Sequence, residues 1–163
     1  MANTQAIYSG SFDPVTQGHL DIIRRAAQLF GAVRVVVLAN PQKQALFTPA
    51  ERAELLRQVT ADIPHVTVDT FDGLLVEYMR KHQLTVLVRG VRNAADLEAE
   101  QAYAYANKLL LPELQSVLLP ADPRLRFVSS SAVRDAWAFG LELPQAVPPA
   151  VAQALRAKQN LSK

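Results

Sequence analysis

The sequence contains no cysteine, and that absence excludes several kinds of protein at once. A chain without thiols has no disulfide scaffold, no thiolate zinc site, no iron–sulfur cluster and no cysteine nucleophile. Long apolar runs are also absent, because none approaches the ~18 residues that a membrane span needs. The N-terminus, Met1 to Gln5, lacks the basic flank and apolar stretch of a secretory signal. We therefore expect a soluble cytoplasmic protein without a membrane partner.

A large excess of positive charge is also missing. The sequence has 17 Lys and Arg residues against 15 Asp and Glu residues, a formal net charge of +2. No broad basic field is available to hold a nucleic acid by counterion release, so no nucleic-acid partner is expected. A local cluster of arginine and lysine around a small phosphate ligand stays open. The sequence shows no paired histidines and no acidic cluster with metal-ligand spacing, so we predict no metal site built from side chains.

Apolar runs alternate with segments of helical periodicity along the chain. Its 163 residues suffice for one domain, which we expect to span residues 1–163. Continuous apolar runs predict buried strands at 6–8, 33–39, 66–71, 85–88 and 116–119. Helical spacing predicts helices at 18–30, 49–60, 74–82, 96–110, 131–139 and 149–158. The fold class predicted is α/β, a single doubly wound Rossmann-like domain with a five-stranded parallel sheet and a helical C-terminus.

The segment after the first strand, residues 9–19, carries most of the candidate chemistry, since ligands of such sheets bind beyond the carboxyl ends of the strands. It matches neither the G-x-G-x-x-G fingerprint nor a Walker loop, so dinucleotide and P-loop sites are not indicated. Gly10 allows a ligand to approach the backbone, and Gly18-His19 opens a helix whose free N–H groups attract anions. The positive end of the helix dipole disfavours protonation of His19. A plain surface histidine is the alternative.

Several motifs together resemble a known enzyme group. Thr16-Gln17-Gly18-His19 and the late Ser129-Ser130-Ser131-Ala132-Val133-Arg134 resemble the (H/T)-x-G-H and I-S-S-(S/T)-x-x-R motifs of the nucleotidyltransferase superfamily. Further segments narrow the resemblance to the bacterial phosphopantetheine adenylyltransferase family: Pro41-x-Lys43, Phe47-Thr48-x-x-Glu51-Arg52, Val88-Arg89-Gly90-Val91-Arg92, Asp96-x-x-x-Glu100 and Pro112-Glu113-Leu114. The similarity runs from about residue 7 to about residue 158.

The resemblance implies an activity. Members of this family transfer the adenylyl group of ATP to 4′-phosphopantetheine, giving dephospho-coenzyme A and pyrophosphate, with Mg²⁺ carried by ATP. The acceptor phosphate would attack the α-phosphorus directly, without a covalent enzyme intermediate, so the protein mainly supplies alignment and charge stabilisation. The resemblance also implies a homohexamer and coenzyme A as a candidate feedback ligand. The apolar stretch 102–119 is compatible with such an interface.

The resemblance also implies a role for each matching residue. His19 would stabilise the transition state, and Lys43 and Arg89 would hold the acceptor phosphate as cations. Leu75 would line the pantetheine channel, although a core position suits it as well. Ser11 would contact both substrates. The residues implied for ATP are Ser11, Phe12, His19, Gly90, Val91, Arg92, Glu100, Leu125, Arg126, Phe127, Val128, Ser129, Ser130 and Ser131. Without the resemblance, Lys43 could equally be solvated in a loop, and the serine run could be a helix cap.

The sequence departs from the family pattern at several positions. Ser9 and Ser11 stand where the family usually has proline and often threonine, and Gln44 replaces a second lysine. Ala99 and Leu125 stand where aromatic residues are common, so the pantetheine channel and the adenine wall can differ in shape. Two other functions stay open. One is a sister nucleotidyltransferase that uses nicotinate mononucleotide or a sugar or polyol phosphate, and the other is a module that senses ATP or coenzyme A without turnover.

Overall fold

A five-stranded parallel sheet forms the centre of the protein, in a computed structural model that describes residues 5–39 and 45–161. The strands are β1 (Gln5–Gly10), β2 (Ala32–Leu38), β3 (Val66–Phe71), β4 (Val86–Val91) and β5 (Gln115–Pro120). Their order in the sheet is β3-β2-β1-β4-β5. The chain therefore winds outward from β1 in both directions, which confirms the predicted doubly wound α/β fold.

Helices connect the strands and continue beyond the last one. They are α1 (Gln17–Phe30), α2 (Pro49–Val59), α3 (Leu75–Lys81), α4 (Ala94–Leu110), α5 (Ser130–Ala138) and α6 (Pro149–Leu161). The last two confirm the helical C-terminus. Within the described ranges, no helix is both long and apolar enough to cross a membrane.

The strand bounds differ most from the sequence prediction at β1 and β4. β1 continues to Gly10 and β4 to Val91, through polar residues and glycine that an apolar pattern does not count. The backbone still pairs there, because Gly10 lies opposite Val37 of β2 and Val91 opposite Pro120 of β5. Backbone hydrogen bonds therefore extend both strands toward the site, and the pattern of side chains in the sequence does not reveal these bonds.

Hydrophobic clusters cover both faces of the sheet. Alternate residues of β1 point to opposite sides: Tyr8 belongs to the cluster under α1 and α2, whereas Ile7 belongs to the cluster under α3. Because both faces are buried there, β2 and β4 are rich in Val and Leu, whereas β3 at the sheet edge alternates apolar and polar residues. This two-sided burial explains why the strands could be found from the sequence.

A crevice opens between β1 and β4 at their carboxyl ends. The two strands pair with each other only as far as Tyr8 and Val88. Beyond that point β1 stays paired with β2 and β4 stays paired with β5, so β1 and β4 separate from each other. This is the point at which the strand order reverses, where doubly wound sheets bind their ligands.

Candidate active site

A pocket of about 360 Å³ lies in this crevice. Its walls come from the end of β1 and the loop after it, the first turns of α1, the end of β4, α4, and the segment that leads into α5. It brings together most of the predicted site residues: Ser11, Phe12, His19, Arg89, Gly90, Arg92, Glu100, Leu125, Val128, Ser129, Ser130 and Ser131.

Several predicted site residues lie outside the walls of this pocket. Leu75 is buried in the cluster under α3, which fits the core position that the sequence left open. Phe127 is 84% exposed and lines a neighbouring shallow groove, and the Arg126 guanidinium lies 5.0 Å from its ring centre. Val91 ends β4 without reaching the pocket wall. The contacts predicted for these four residues stay predictions, and Lys43 lies outside the described residues.

The first turn of α1 fixes the imidazole of His19. The hydroxyl of the N-cap residue Thr16 accepts the His19 backbone N–H at 3.4 Å, and the Thr16 backbone N–H donates to Nδ1 of His19 at 3.1 Å. This is a capping box in which histidine takes the place of the usual Glu or Gln. Because Nδ1 accepts a hydrogen bond, the proton of the neutral ring belongs on Nε2. The Nε2–H group is therefore left to donate to a ligand.

The imidazole of His19 is neutral at physiological pH. Burial is the largest cause of its lowered pKa, and together with the positive charges of Arg92 and Arg89 it brings the pKa to about 4. The sequence predicted a neutral ring from the helix dipole, and the structure adds burial and two nearby positive charges as causes. A neutral ring held in one tautomer is a directional hydrogen-bond donor rather than a cation.

Phe12 lines the pocket and packs against the imidazole of His19. It is 2% exposed, and its ring makes an edge-on contact with the His19 ring at 5.0 Å between centres. Its backbone has a positive φ of 49°, a region that favours glycine, so the surrounding packing must hold it there. A side chain at Gly10 would press on this ring, because a Cβ there would lie 3.3 Å from it. Phe12 is therefore a wall that keeps the His19 ring in place.

Two buried groups fasten the loop after β1 to the region around α2. The Asp13 carboxylate accepts the backbone N–H groups of Leu46 and Phe47, each at 2.9 Å. Arg52 of α2, only 4% exposed, donates to the carbonyl oxygen of Ser11 at 2.7 Å. The sequence analysis covered Asp13 only within the segment 9–19 and Arg52 only as a motif residue. Their partners lie 33 to 41 residues away, and no local pattern reveals them.

The N-terminus of α5 fastens the same loop from the other side. The Ser129 hydroxyl caps the helix by accepting the Ala132 backbone N–H, which is the helix-cap role that the sequence left open for the serine run. The Ser130 hydroxyl donates to the carbonyl oxygen of Pro14 at 2.8 Å, and Arg134 donates to the carbonyl oxygen of Asp13 at 2.6 Å. The late serine motif therefore meets the loop after β1, from the other end of the sequence, through side chain to backbone hydrogen bonds.

Both arginines of the pocket are paired with carboxylates of α4. Glu100 receives two hydrogen bonds from the Arg89 guanidinium, at 2.7 and 2.8 Å. Asp96 receives two from the Arg92 guanidinium, at 2.8 and 3.2 Å, and one from the Arg92 backbone N–H at 3.1 Å. Burial lowers the pKa of Arg89, but the hydrogen bonds and charge of Glu100 outweigh that effect and raise it. Among the described residues that line the pocket, two positive and two negative side chains balance one another.

Tyr8 is a pocket residue that the sequence did not single out. It lies in the strand β1, where the apolar pattern predicted only a buried side chain. Its ring lines the pocket, and within the described part of the chain its hydroxyl has no hydrogen-bond partner. Burial raises the pKa of the Tyr8 hydroxyl, so it keeps its proton and can donate. The only feature of the sequence that pointed to Tyr8 as a pocket residue was its position two residues before Gly10, at the end of the first strand.

Known proteins resemble this chain in both sequence and fold. The sequence model of the cytidylyltransferase-like family matches residues 7–136. The phosphopantetheine adenylyltransferase of Caldanaerobacter subterraneus is 48% identical over 153 residues, covering 94% of this chain and 96% of that protein. The enzymes of the same name from Shouchella clausii and Levilactobacillus brevis are 45% and 44% identical, covering 93% and 95% of this chain and 96% of each relative.

The solved structures add a likeness of fold. A bifunctional NMN adenylyltransferase/ADP ribose pyrophosphatase from Francisella tularensis superposes with a TM-score of 0.76 over 97% of this chain, at 14% identity. This chain spans half the length of that protein. At such low identity the likeness concerns the fold alone.

Proposed function

Since the chain belongs to the phosphopantetheine adenylyltransferase family, within the cytidylyltransferase-like proteins, we propose that its pocket transfers the adenylyl group of ATP to 4′-phosphopantetheine. The products are dephospho-coenzyme A and pyrophosphate. The observation that supports this site most is the neutral His19 ring, held in one tautomer with Nε2–H free in a pocket that also contains Arg89.

The reaction is an in-line displacement. An oxygen of the acceptor phosphate forms a bond to the α-phosphorus of ATP, and the bond from that phosphorus to the oxygen bridging to the β-phosphorus breaks. Pyrophosphate leaves with the electron pair of that bond. No proton has to be removed from the nucleophile, because a phosphate is already ionised, so positioning and charge stabilisation account for the catalysis.

The residues of the pocket divide between the two substrates. His19 donates Nε2–H to an oxygen of the α-phosphate, where negative charge redistributes in the transition state. Arg89 and Lys43 hold the acceptor phosphate. The N-terminus of α5, with its serine hydroxyls and free N–H groups, takes phosphates of ATP. Arg92, at the end of β4, adds a positive charge on the nucleotide side.

Among the residues that the structure describes, no cluster of side chains offers a magnesium site. Asp96 and Glu100 are each engaged by an arginine, and the described residues contain no group of three or more His, Cys, Asp or Glu able to hold a metal. We therefore expect Mg²⁺ to be bound by the oxygens of ATP and by water, as this ion prefers. When bound it screens the charge of the triphosphate.

The proposal extends to assembly, regulation and location. α4 exposes Tyr105, Leu109 and Leu110, an apolar face of the kind that subunit interfaces cover, and we propose a homohexamer that uses it. Coenzyme A contains the same pantetheine arm as the product, so it is expected to compete for the pocket as a feedback ligand. Coenzyme A synthesis draws on cytoplasmic ATP, and we place the enzyme in the cytoplasm.

One assay tests the function. The purified protein is incubated with MgATP and, in separate reactions, 4′-phosphopantetheine, nicotinate mononucleotide or a sugar phosphate, and pyrophosphate is followed with time. We expect release only with phosphopantetheine, matched by an equal amount of dephospho-coenzyme A. Release with another acceptor would assign a sister activity, and ATP binding without release would assign a sensor.

A further inference from the structure

Tyr8 lies at the bottom of the crevice, at the point where β1 and β4 separate. It is opposite Val88, in the last pair that joins the two strands. Just beyond this pair, the Arg89 guanidinium donates to the carbonyl oxygen of Ser9 at 2.6 Å. The Tyr8 ring lines the pocket beside the imidazole of His19, with 6.4 Å between the ring centres. Tyr8 is therefore placed between the start of α1 and the end of β4.

The hydroxyl of Tyr8 is a buried donor that awaits a partner. The residue is only 6% exposed, and within residues 5–39 and 45–161 its hydroxyl makes no hydrogen bond. A buried polar group in this state costs free energy until a ligand satisfies it. Burial raises the pKa of the hydroxyl and outweighs the opposite effect of Arg89 and Arg92, so the group stays protonated. It can donate one hydrogen bond to an acceptor in the pocket.

The neighbours of Tyr8 indicate which ligand atom its hydroxyl meets. In the proposed reaction Arg89 holds the acceptor phosphate, Arg92 lies on the nucleotide side, and His19 donates to the α-phosphate. Tyr8 lies beside the His19 ring, and its hydroxyl is close enough to both arginines for their charges to act on its pKa. The α-phosphate is the group on which these side chains converge, because acceptor and nucleotide meet there. A neutral donor at this place adds no charge to the pocket, and its hydrogen bond strengthens as negative charge develops on the oxygen.

We propose that the Tyr8 hydroxyl is a further catalytic group, which donates a hydrogen bond to one non-bridging oxygen of the α-phosphate during adenylyl transfer. The inference rests on the proposed function. The bond that forms to the α-phosphorus and the bond that breaks stay the same, and Tyr8 keeps its proton throughout. Its contribution is an interaction that is stronger in the transition state than with bound ATP, so it acts on kcat more than on KM.

Tyr8→Phe removes the hydroxyl and keeps the ring beside His19. With ATP and phosphopantetheine we expect kcat to fall about tenfold, as for the loss of one hydrogen bond to a charged group. The KM for each substrate should change by less than about twofold, because the lost interaction belongs to the transition state. The rate of pyrophosphate release measures both constants.

The two diastereomers of ATPαS identify the atom that the hydroxyl contacts, since sulfur replaces a different non-bridging α-oxygen in each. Sulfur is a weak hydrogen-bond acceptor. Tyr8→Phe should therefore lower kcat/KM about tenfold with one diastereomer and less than about twofold with the diastereomer whose sulfur occupies the contacted position. The preference of Mg²⁺ for oxygen over sulfur is the same in both proteins and cancels in this comparison.

Tyr78→Phe is the matched control, because it removes the hydroxyl of a buried tyrosine outside the pocket walls. The Tyr78 hydroxyl already has partners, since it donates to Asp69 at 2.7 Å and accepts from Arg34 at 3.2 Å. The two variants should therefore give opposite results. Tyr78→Phe should lower the thermal midpoint and leave the kinetic constants unchanged, whereas Tyr8→Phe should lower kcat and leave the thermal midpoint unchanged.

The outcomes distinguish this inference from the function on which it rests. If wild-type protein releases no pyrophosphate with phosphopantetheine, the proposed function fails. If wild-type protein is active, unchanged kinetics of Tyr8→Phe would overturn the inference alone. Equal losses with the two diastereomers would also overturn it, because the hydroxyl then contacts neither non-bridging α-oxygen. In that case a raised KM for phosphopantetheine would assign the hydroxyl to the acceptor, and a raised KM for ATP would assign it to another part of the nucleotide.

Discussion

Replacing Asp13 with asparagine is the sharpest test of how the loop after β1 is held. The carboxylate accepts two backbone N–H groups, from Leu46 and Phe47, at 2.9 Å each, and it is 5% exposed. An asparagine fits the same space. It keeps one acceptor oxygen, but its NH₂ group turns a donor toward the second backbone N–H, so one hydrogen bond is lost and a buried donor is left without a partner.

The expected cost follows from these contacts. A hydrogen bond to a charged group contributes about 1.5–3 kcal/mol, and an unsatisfied buried donor costs a similar amount. The two overlap, because they describe the same broken contact, so we expect the free energy of unfolding to fall by about 2–3 kcal/mol. A protein of ordinary stability, about 5–15 kcal/mol, remains folded after this loss.

Urea unfolding followed by circular dichroism measures the effect. Asp13→Asn should lower the transition midpoint with little change in the slope, because the surface exposed on unfolding stays the same. The control is Asp72→Asn, since Asp72 lies in a loop and is exposed, and its substitution should change the free energy of unfolding by less than about 0.5 kcal/mol. If the two variants are equally stable, the Asp13 hydrogen bonds do not hold the loop and the reasoning is refuted.

Three further predictions concern the pocket. His19→Ala should lower kcat at least about a hundredfold while leaving the fold intact, as expected for the loss of one preorganised donor; an unchanged kcat in a steady-state assay would remove His19 from the mechanism. The folded-state pKa of His19, about 4, lies below its ordinary value, so the unfolded chain binds the extra proton first as the pH falls. The stability of wild-type protein relative to His19→Gln should therefore decrease as the pH is lowered from 7 to 4.5, and a constant difference in urea midpoints would contradict the buried neutral ring. Tyr8→Phe should lower kcat/KM about tenfold through the loss of one hydrogen bond to a charged ligand, with the thermal midpoint unchanged; equal activity of the two proteins would show that the hydroxyl contacts no substrate.

Local sequence predicted those elements whose structure depends mainly on interactions between neighbouring residues. The helix predicted to begin at residue 49 does begin at Pro49, where Thr48 and Glu51 form a capping box with both of its hydrogen bonds. The strands were found because burial on both faces requires continuous apolar residues. These two regularities determine a doubly wound sheet, and the motifs at its carboxyl ends determine the family.

The tertiary structure decided which partners the site residues take. The nucleotide contact of Glu100 stays a prediction of its motif, and the fold adds a partner that the motif does not show, because the Glu100 carboxylate accepts hydrogen bonds from Arg89, eleven residues away. Arg134 donates to the carbonyl oxygen of Asp13 across 121 residues, and the ring of Phe12 packs edge-on against that of His19. A sequence specifies the types and order of such side chains. Their hydrogen bonds and ionic pairs depend on the directions in which packed helices and strands point them, and those directions are set only when the whole sheet has assembled.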